Sequence, residues 1–217
     1  MPEFTLAQTI VIAALPVLFA ITVHEVAHGW VAKQLGDPTA DQLGRLTLNP
    51  LKHIDPIGTI LVPLVMIVTL GVAIGWAKPV PVNWQNLHNP KRDMAIVAAA
   101  GPAANLVMAL LWAIIIKIMF SVPGAASGFA QPLIYMAQIG ILINVLLMVF
   151  NLLPIPPLDG GRVAVGLLPY PWSLYLSRIE PFGFFILVGL MLSGVLWFII
   201  RPLQNFVYQI LQFLIGL

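Results

Sequence analysis

The sequence predicts an all-α polytopic membrane protein: a bundle of about five or six membrane segments, with a short re-entrant or β-like element between the first and second full spans. Three observations carry that prediction. Hydrophobic residues make up 60% of the 217 positions and charged residues 8%, with a mean hydropathy of +0.98, far from the balance of a soluble domain. Apolar runs long enough to cross a ~30 Å hydrocarbon layer recur along the chain. Pro63 interrupts one apolar stretch, and Pro154, Pro156 and Pro157 end another, where freed backbone groups must find partners in protein or in a water-lined cavity.

The expectation is one membrane-embedded domain over 1–217, with a core at 6–166 and further membrane segments at 167–217. The formal charge of +2 comes from basic residues scattered at the ends of apolar runs. That scatter reports topology and predicts no nucleic-acid partner. With no cysteine, disulfides and thiolate metal sites are excluded, and a bound metal must be held by nitrogen and oxygen.

The first span runs from Leu6 to Lys33 and carries His24-Glu25-Val26-Ala27-His28 in its later half. Residues i and i+4 of a helix lie ~40° apart around the axis, so His24 and His28 share one face, one turn apart. Two imidazoles so placed can grip one metal ion, while Glu25 stands beside it, able to take a proton from water activated there without being a ligand. The pentapeptide reads as zinc ligand, general base, zinc ligand. With four His and three Glu in the chain, chance placement is on the order of one in a thousand. Ionisable groups at hydrocarbon depth also mark function by default. Met1-Pro2-Glu3-Phe4 lacks the basic start of a signal peptide, so the span is expected to be retained.

Between Gly36 and Asp55, the pairs Asp37-Pro38, Asn49-Pro50 and Asp55-Pro56 mark turns, and His53 reads as an interfacial residue. The apolar stretch Ile57–Ile74 is interrupted by Pro63 and crowded by Gly71 and Gly75. After it, Pro79 and Pro81 force an extended backbone across Trp76–Trp84. Two readings stay open for that segment: an interfacial loop pinned by its tryptophans, or an edge beside the site where Val80, Val82 and Asn83 pair with an unwound chain.

Asp93–Phe120 is the next span, opened by Lys91-Arg92 and carrying Gly101-Pro102-Ala103-Ala104-Asn105. Its small residues admit a close backbone, and Asn105 needs a partner. An uncharged loop follows over Ser121–Gln131, then the apolar stretch Pro132–Leu153 with Asn144 and Asn151. Pro154, Pro156 and Pro157 end that helix ahead of Leu158-Asp159-Gly160-Gly161-Arg162. Asp159 is the candidate third ligand, because a His₂-carboxylate set leaves the fourth zinc position to water. The competing account is an Asp-Gly turn paired with Arg162.

Charge fixes the direction of these spans. Lys33, Arg45 and Lys52 follow the first span and no basic residue precedes it, so its C-terminal end lies toward the cytoplasm. For Asp159 to meet His24 and His28, the first span and Pro132–Leu153 must run parallel and Asp93–Phe120 antiparallel to both. The stretch Pro56–Pro90 then begins and ends on one side, which predicts that Ile57–Ile74 is a broken, re-entrant or tilted hairpin rather than a simple crossing. A fifth span is expected from Glu180 to Ile200, broken by Arg201-Pro202, with a last apolar helix over Leu203–Leu217.

These pieces together resemble the site-2 proteases, zinc metalloproteases that cut within membranes. The resemblance rests on His24-Glu25-Val26-Ala27-His28, Gly101-Pro102-Ala103-Ala104-Asn105, and Asn151-Leu152-Leu153-Pro154 leading to Leu158-Asp159-Gly160, and it spans about 6–166. It implies one Zn²⁺ per chain held by His24, His28 and Asp159, with Glu25 as base and Asn151 beside the site as donor to the oxyanion. It also implies that a membrane-embedded edge near Val80, Val82 and Asn83 meets the substrate. The chain lacks the PDZ and CBS modules of many relatives. The expected function is intramembrane endoproteolysis of single-span proteins, in a multi-pass protein of the plasma membrane with its site toward the cytoplasm. A transporter or metal carrier with a midplane zinc site is the alternative, because broken helices with buried ionisable groups also describe transport sites. His88 is left without a role.

Overall fold

The computed structural model describes residues 4–70, 75–122 and 130–216. Every regular element among them is helical, and four helical stretches are long and apolar enough to cross a membrane: Ala7–Gln34, Pro90–Ser121, Gln131–Asn151 and Trp172–Leu192.

Helix α1, Leu6–Gln34, starts at a capping box in which Thr5 accepts from the Gln8 N–H and the Gln8 side chain accepts from the Thr5 N–H. It ends where Gly36 adopts φ +108°, a conformation open to glycine at low cost, so that the Asp37 N–H turns back to the Ala32 carbonyl. Asp37 is fully buried and takes hydrogen bonds from the Thr39 N–H and hydroxyl, the Asn86 amide and the Asn83 N–H. Burial alone would raise its carboxyl; these hydrogen bonds outweigh burial and hold it below the ordinary value. One loop carboxylate thereby ties the end of α1 to a segment 46 residues further on.

The expected hairpin is closed by its own backbone. Asp55 caps a π-helical turn over Pro56–Leu61, which leads into α2, Val62–Leu70. The end of the expected stretch, 71–74, lies outside the described residues. On the return, the Trp76 N–H donates to the Gly58 carbonyl (3.0 Å), the Thr59 hydroxyl to the Trp76 carbonyl (2.9 Å), and the Lys78 N–H to the His53 carbonyl (2.9 Å). A Cβ on Gly58 would enter the Trp76 ring, so only glycine admits this contact. These bonds bring the chain back beside the start of the stretch, as a hairpin requires. No strand forms among the described residues, and the extended backbone at 77–83 pairs with loops and side chains instead. Pro79 and Pro81 explain this, because neither has a ladder donor to give.

Helix α3, Pro90–Ser121, packs against α1, against α4, Gln131–Asn151, and against α5, Asp159–Leu167. The loop expected over Ser121–Gln131 lies mostly outside the described residues, at 123–129. In lipid, helices associate through close packing and interhelical hydrogen bonds rather than apolar burial, and the contact residues are small: Ala20, Ala98, Gly101, Ala109, Ala113 and Ala137 are buried. Large apolar side chains face outward, among them Val68, Phe198 and Phe213, each over four-fifths exposed, as expected of a surface in hydrocarbon.

The C-terminal segments depart from expectation. After a short helix at Trp172–Ser177, α6 covers Gly183–Leu192 and stops at Gly194, whose φ is +78°; α7 then runs from Val195 to Ile215 straight through Pro202. The break therefore falls at Ser193-Gly194 and not at Arg201-Pro202. A proline removes one helical hydrogen bond, which a membrane helix tolerates among neighbours, whereas a left-handed glycine turns the chain. Leu196, Ile200 and Leu211 of α7 close a core with Ala109, Val145, Met148, Val149, Leu153, Leu158 and Met191.

Candidate metal centre

His24 and His28 face α3, where Val97, Gly101 and Asn105 recur at four-residue steps and so form one stripe. The His24 Nδ1–H donates to Asn105 Oδ1 at 2.6 Å, and the His28 Nδ1–H donates to the Val97 carbonyl at 2.7 Å. The orientation of Asn105 is settled by its other end, which donates to Asn144 Oδ1 (2.9 Å) and to the Ala20 carbonyl (3.2 Å). Carbonyl oxygens only accept, so both imidazoles carry a proton on Nδ1, which leaves the Nε2 of each neutral ring available to a metal.

Those two Nε2 atoms are 3.1 Å apart, and Asp159 Oδ2 lies 3.1 Å from one and 3.3 Å from the other. Zinc bonds of ~2.0–2.1 Å in a tetrahedron give ligand-to-ligand edges of ~3.3–3.4 Å, so the triangle is the size zinc requires. Asp159 Oδ2 is buried and receives no hydrogen bond, as it must if both Nε2 atoms are unprotonated. Three acceptor lone pairs meeting away from water repel one another unless a cation joins them. Gly101 completes the cradle, since a Cβ there would fall on the His24 and His28 ring atoms. His24, His28 and Asp159 are the one group of metal-ligand character among the described residues.

Asp159 opens α5 and reaches the imidazoles because the chain folds sharply after α4. The Ile155 N–H bonds to the Leu153 carbonyl and the Leu158 N–H to the Ile155 carbonyl. Gly160 and Gly161 lie so close to the backbone of Leu152 and Pro156 that side chains there would push α5 away. Arg162 does not pair with Asp159; it lies over the Trp84 ring at 5.5 Å and 3.4 Å from Glu180. The carboxylate is left to the metal.

Glu25 stands outside the ligand triangle, and its Oε2 accepts from the Val80 N–H at 2.7 Å. Asn151 donates one amide hydrogen to the Leu147 carbonyl at 2.9 Å, and the amide has a second to give. Val80 is buried, Val82 packs against Ala32, Leu87 and Val97, and Asn83 is exposed with its N–H on Asp37. His53 is buried beneath its own loop, with Nε2 on the Thr47 carbonyl, and His88 is exposed; neither joins the metal group.

What the sequence left unassigned is the support behind the histidines. Asn105 was legible as a buried amide in need of a partner, but the Val97 carbonyl has no side-chain signature. Asn105→Ala is expected to free the His24 ring and lower zinc affinity by about 10–100-fold, measured by chelator competition on the purified protein.

An apolar helical bundle that buries a His₂-carboxylate triangle beside a second, non-ligating carboxylate defines a membrane-embedded metallohydrolase. The profile described as Peptidase family M50 matches residues 115–194, the part that contains Asp159. The "Putative zinc metalloprotease YwhC" of Bacillus subtilis is 36% identical over 189 residues, covering 87% of this chain and 83% of its own length. The "Putative zinc metalloprotease Rip2" of Mycolicibacterium smegmatis is 32% identical, covering 83% of this chain and 67% of its own length, and that of Mycobacterium tuberculosis H37Rv is 27% identical with the same coverage. No solved structure matches the chain. The chain belongs to peptidase family M50.

Proposed function

We propose that the chain is a zinc-dependent intramembrane endopeptidase that cuts single-span proteins of the plasma membrane, with its active site toward the cytoplasm. The observation that carries this reading is the buried His24–His28–Asp159 triangle of zinc dimensions, with Glu25 beside it. His24 and His28 sit about ten and six residues before the end of α1, roughly 15 and 9 Å along the axis, which is within reach of hydrocarbon depth. Lys33, Arg45, Lys78 and Lys91 lie around the end where α1 stops and α3 begins, while Lys117 lies at the far end of α3. That asymmetry supports a cytoplasmic site.

His24, His28 and Asp159 would hold the zinc, which when bound would supply Lewis acidity and a water of lowered pKa, toward ~7. Glu25 takes a proton at its carboxylate from the water that attacks the peptide carbonyl carbon, and passes it to the amine as the C–N bond breaks. The Asn151 amide donates its second hydrogen to the carbonyl oxygen as negative charge develops, a contact worth roughly 3 kcal/mol in comparable sites. Asn105 and the Val97 carbonyl hold the two rings in register throughout. A spanning substrate helix must unwind before attack, because its peptide groups are engaged in its own hydrogen bonds. The segment with Val80, Val82 and Asn83 lies beside Glu25, where an unwound chain would run.

The test is incubation of purified protein with a panel of single-span membrane proteins in liposomes. Cleavage that stops with a zinc chelator and returns with added zinc is expected. Zinc flux across the liposome membrane without cleavage of any panel member would instead establish a carrier.

A further inference from the structure

We propose that the main-chain N–H of Val80 is a positioning group for Glu25, so that the extended segment Lys78–Asn83 aims the carboxylate; the inference rests on the endopeptidase reading and deepens it. A glutamate on a helix surface has three side-chain torsions, and a base is useful only in one narrow range of them. The Val80 N–H holds Oε2 at 2.7 Å, a short charge-assisted bond. With that oxygen anchored, the direction of the other is set by the plane of the carboxylate.

The anchor is itself held on every side. Pro79 and Pro81 fix φ before and after Val80. The Lys78 N–H is bonded to the His53 carbonyl, Arg45 Nη2 lies 3.0 Å from the Lys78 carbonyl and 3.3 Å from that of Pro79, and the Asn83 N–H ends on the buried Asp37 at 2.7 Å. The Val80 side chain is 7% exposed and wedged against Gly29, where an added Cβ would meet Val80 Cγ1 at 2.7 Å. The loop clamps the donor, and the donor clamps the base.

The same bonds define what the segment offers a substrate. The N–H groups of Val80 and Asn83 are directed to carboxylates of the protein, and Pro79 and Pro81 have none. At the two prolines a partner chain therefore meets carbonyl acceptors only. Any strain that a seated substrate places on the segment reaches Glu25 through a single hydrogen bond.

Hydrogen exchange on the full-length, zinc-loaded protein tests the contact without reference to activity. Across Lys78–Asn83 the exchangeable main-chain amides are those of Lys78, Val80, Val82 and Asn83. Glu25→Ala is expected to speed exchange at Val80 by about tenfold or more, the loss of one hydrogen bond. Glu25→Gln, which keeps an acceptor, is expected to change it far less. Kinetics on a cleavable substrate then separate aiming from packing. Val80→Pro removes the N–H and Val80→Ala keeps it, so kcat should fall about tenfold further in Val80→Pro, with KM and zinc per chain alike in the two. Unaltered Val80 exchange in Glu25→Ala, or equal kcat in the two Val80 variants, overturns the proposal. A wild-type protein that cleaves nothing defeats the endopeptidase reading, while the exchange comparison still decides whether Val80 holds Glu25.

Discussion

Glu25→Gln is expected to bind zinc at one ion per chain and to lose cleavage by about 10³-fold, the scale of general acid–base catalysis. The asymmetry follows from geometry. The carboxylate lies outside the His24–His28–Asp159 triangle, so the metal loses no ligand when it becomes an amide. The amide oxygen can still accept the Val80 N–H, and the backbone around it has no reason to move. What disappears is the ability to hold a proton between its removal from water and its delivery to the leaving amine. Metal analysis beside initial rates on one substrate checks both halves, and full activity in this variant would remove Glu25 from the role of base.

Asp159→Ala is expected to do the reverse and release the metal, with affinity lower by on the order of 10³-fold, since it removes one of three protein ligands. Arg162 does not compensate, because its guanidinium is engaged with Trp84 and Glu180. Two imidazoles remain, each still held at Nδ1 by α3. Activity should fall with zinc occupancy and recover in part at high zinc, which distinguishes a lost ligand from a lost base. Chelator competition with the wild type as reference gives the number.

The parts of this protein that were legible beforehand are those in which chemistry is written in residue type. His24, Glu25 and His28 announce themselves because ionisable groups are rare and costly in an apolar span. Asp159 could be proposed with them across 130 intervening positions because two histidines need a third ligand, and the ends of the helices that the basic residues mark agreed with it. The same parity reasoning turned Ile57–Ile74 from a crossing into a hairpin, and the Trp76–Gly58 and Lys78–His53 hydrogen bonds close it.

Illegible features share a different cause. The Val97 carbonyl that orients His28 could belong to any residue, and the partner of Asn105, His24, is 81 positions away. Arg201-Pro202 is a stronger break signal than Ser193-Gly194, yet α7 continues through the proline, and the break between α6 and α7 falls at the glycine. A lost hydrogen bond among packed helices is tolerable, and a left-handed φ is decisive. The Val80 segment was readable as extended from its prolines, but that its free N–H faces a carboxylate on α1 is a tertiary fact.

The most direct measurement is zinc K-edge X-ray absorption on the purified, zinc-loaded protein. Four nitrogen or oxygen neighbours near ~2.0–2.1 Å are predicted, with outer-shell scattering from two imidazoles, and with one oxygen neighbour exchanged for solvent in Asp159→Ala. A shell of three or more imidazoles, or of none, would contradict a site built from His24, His28 and Asp159.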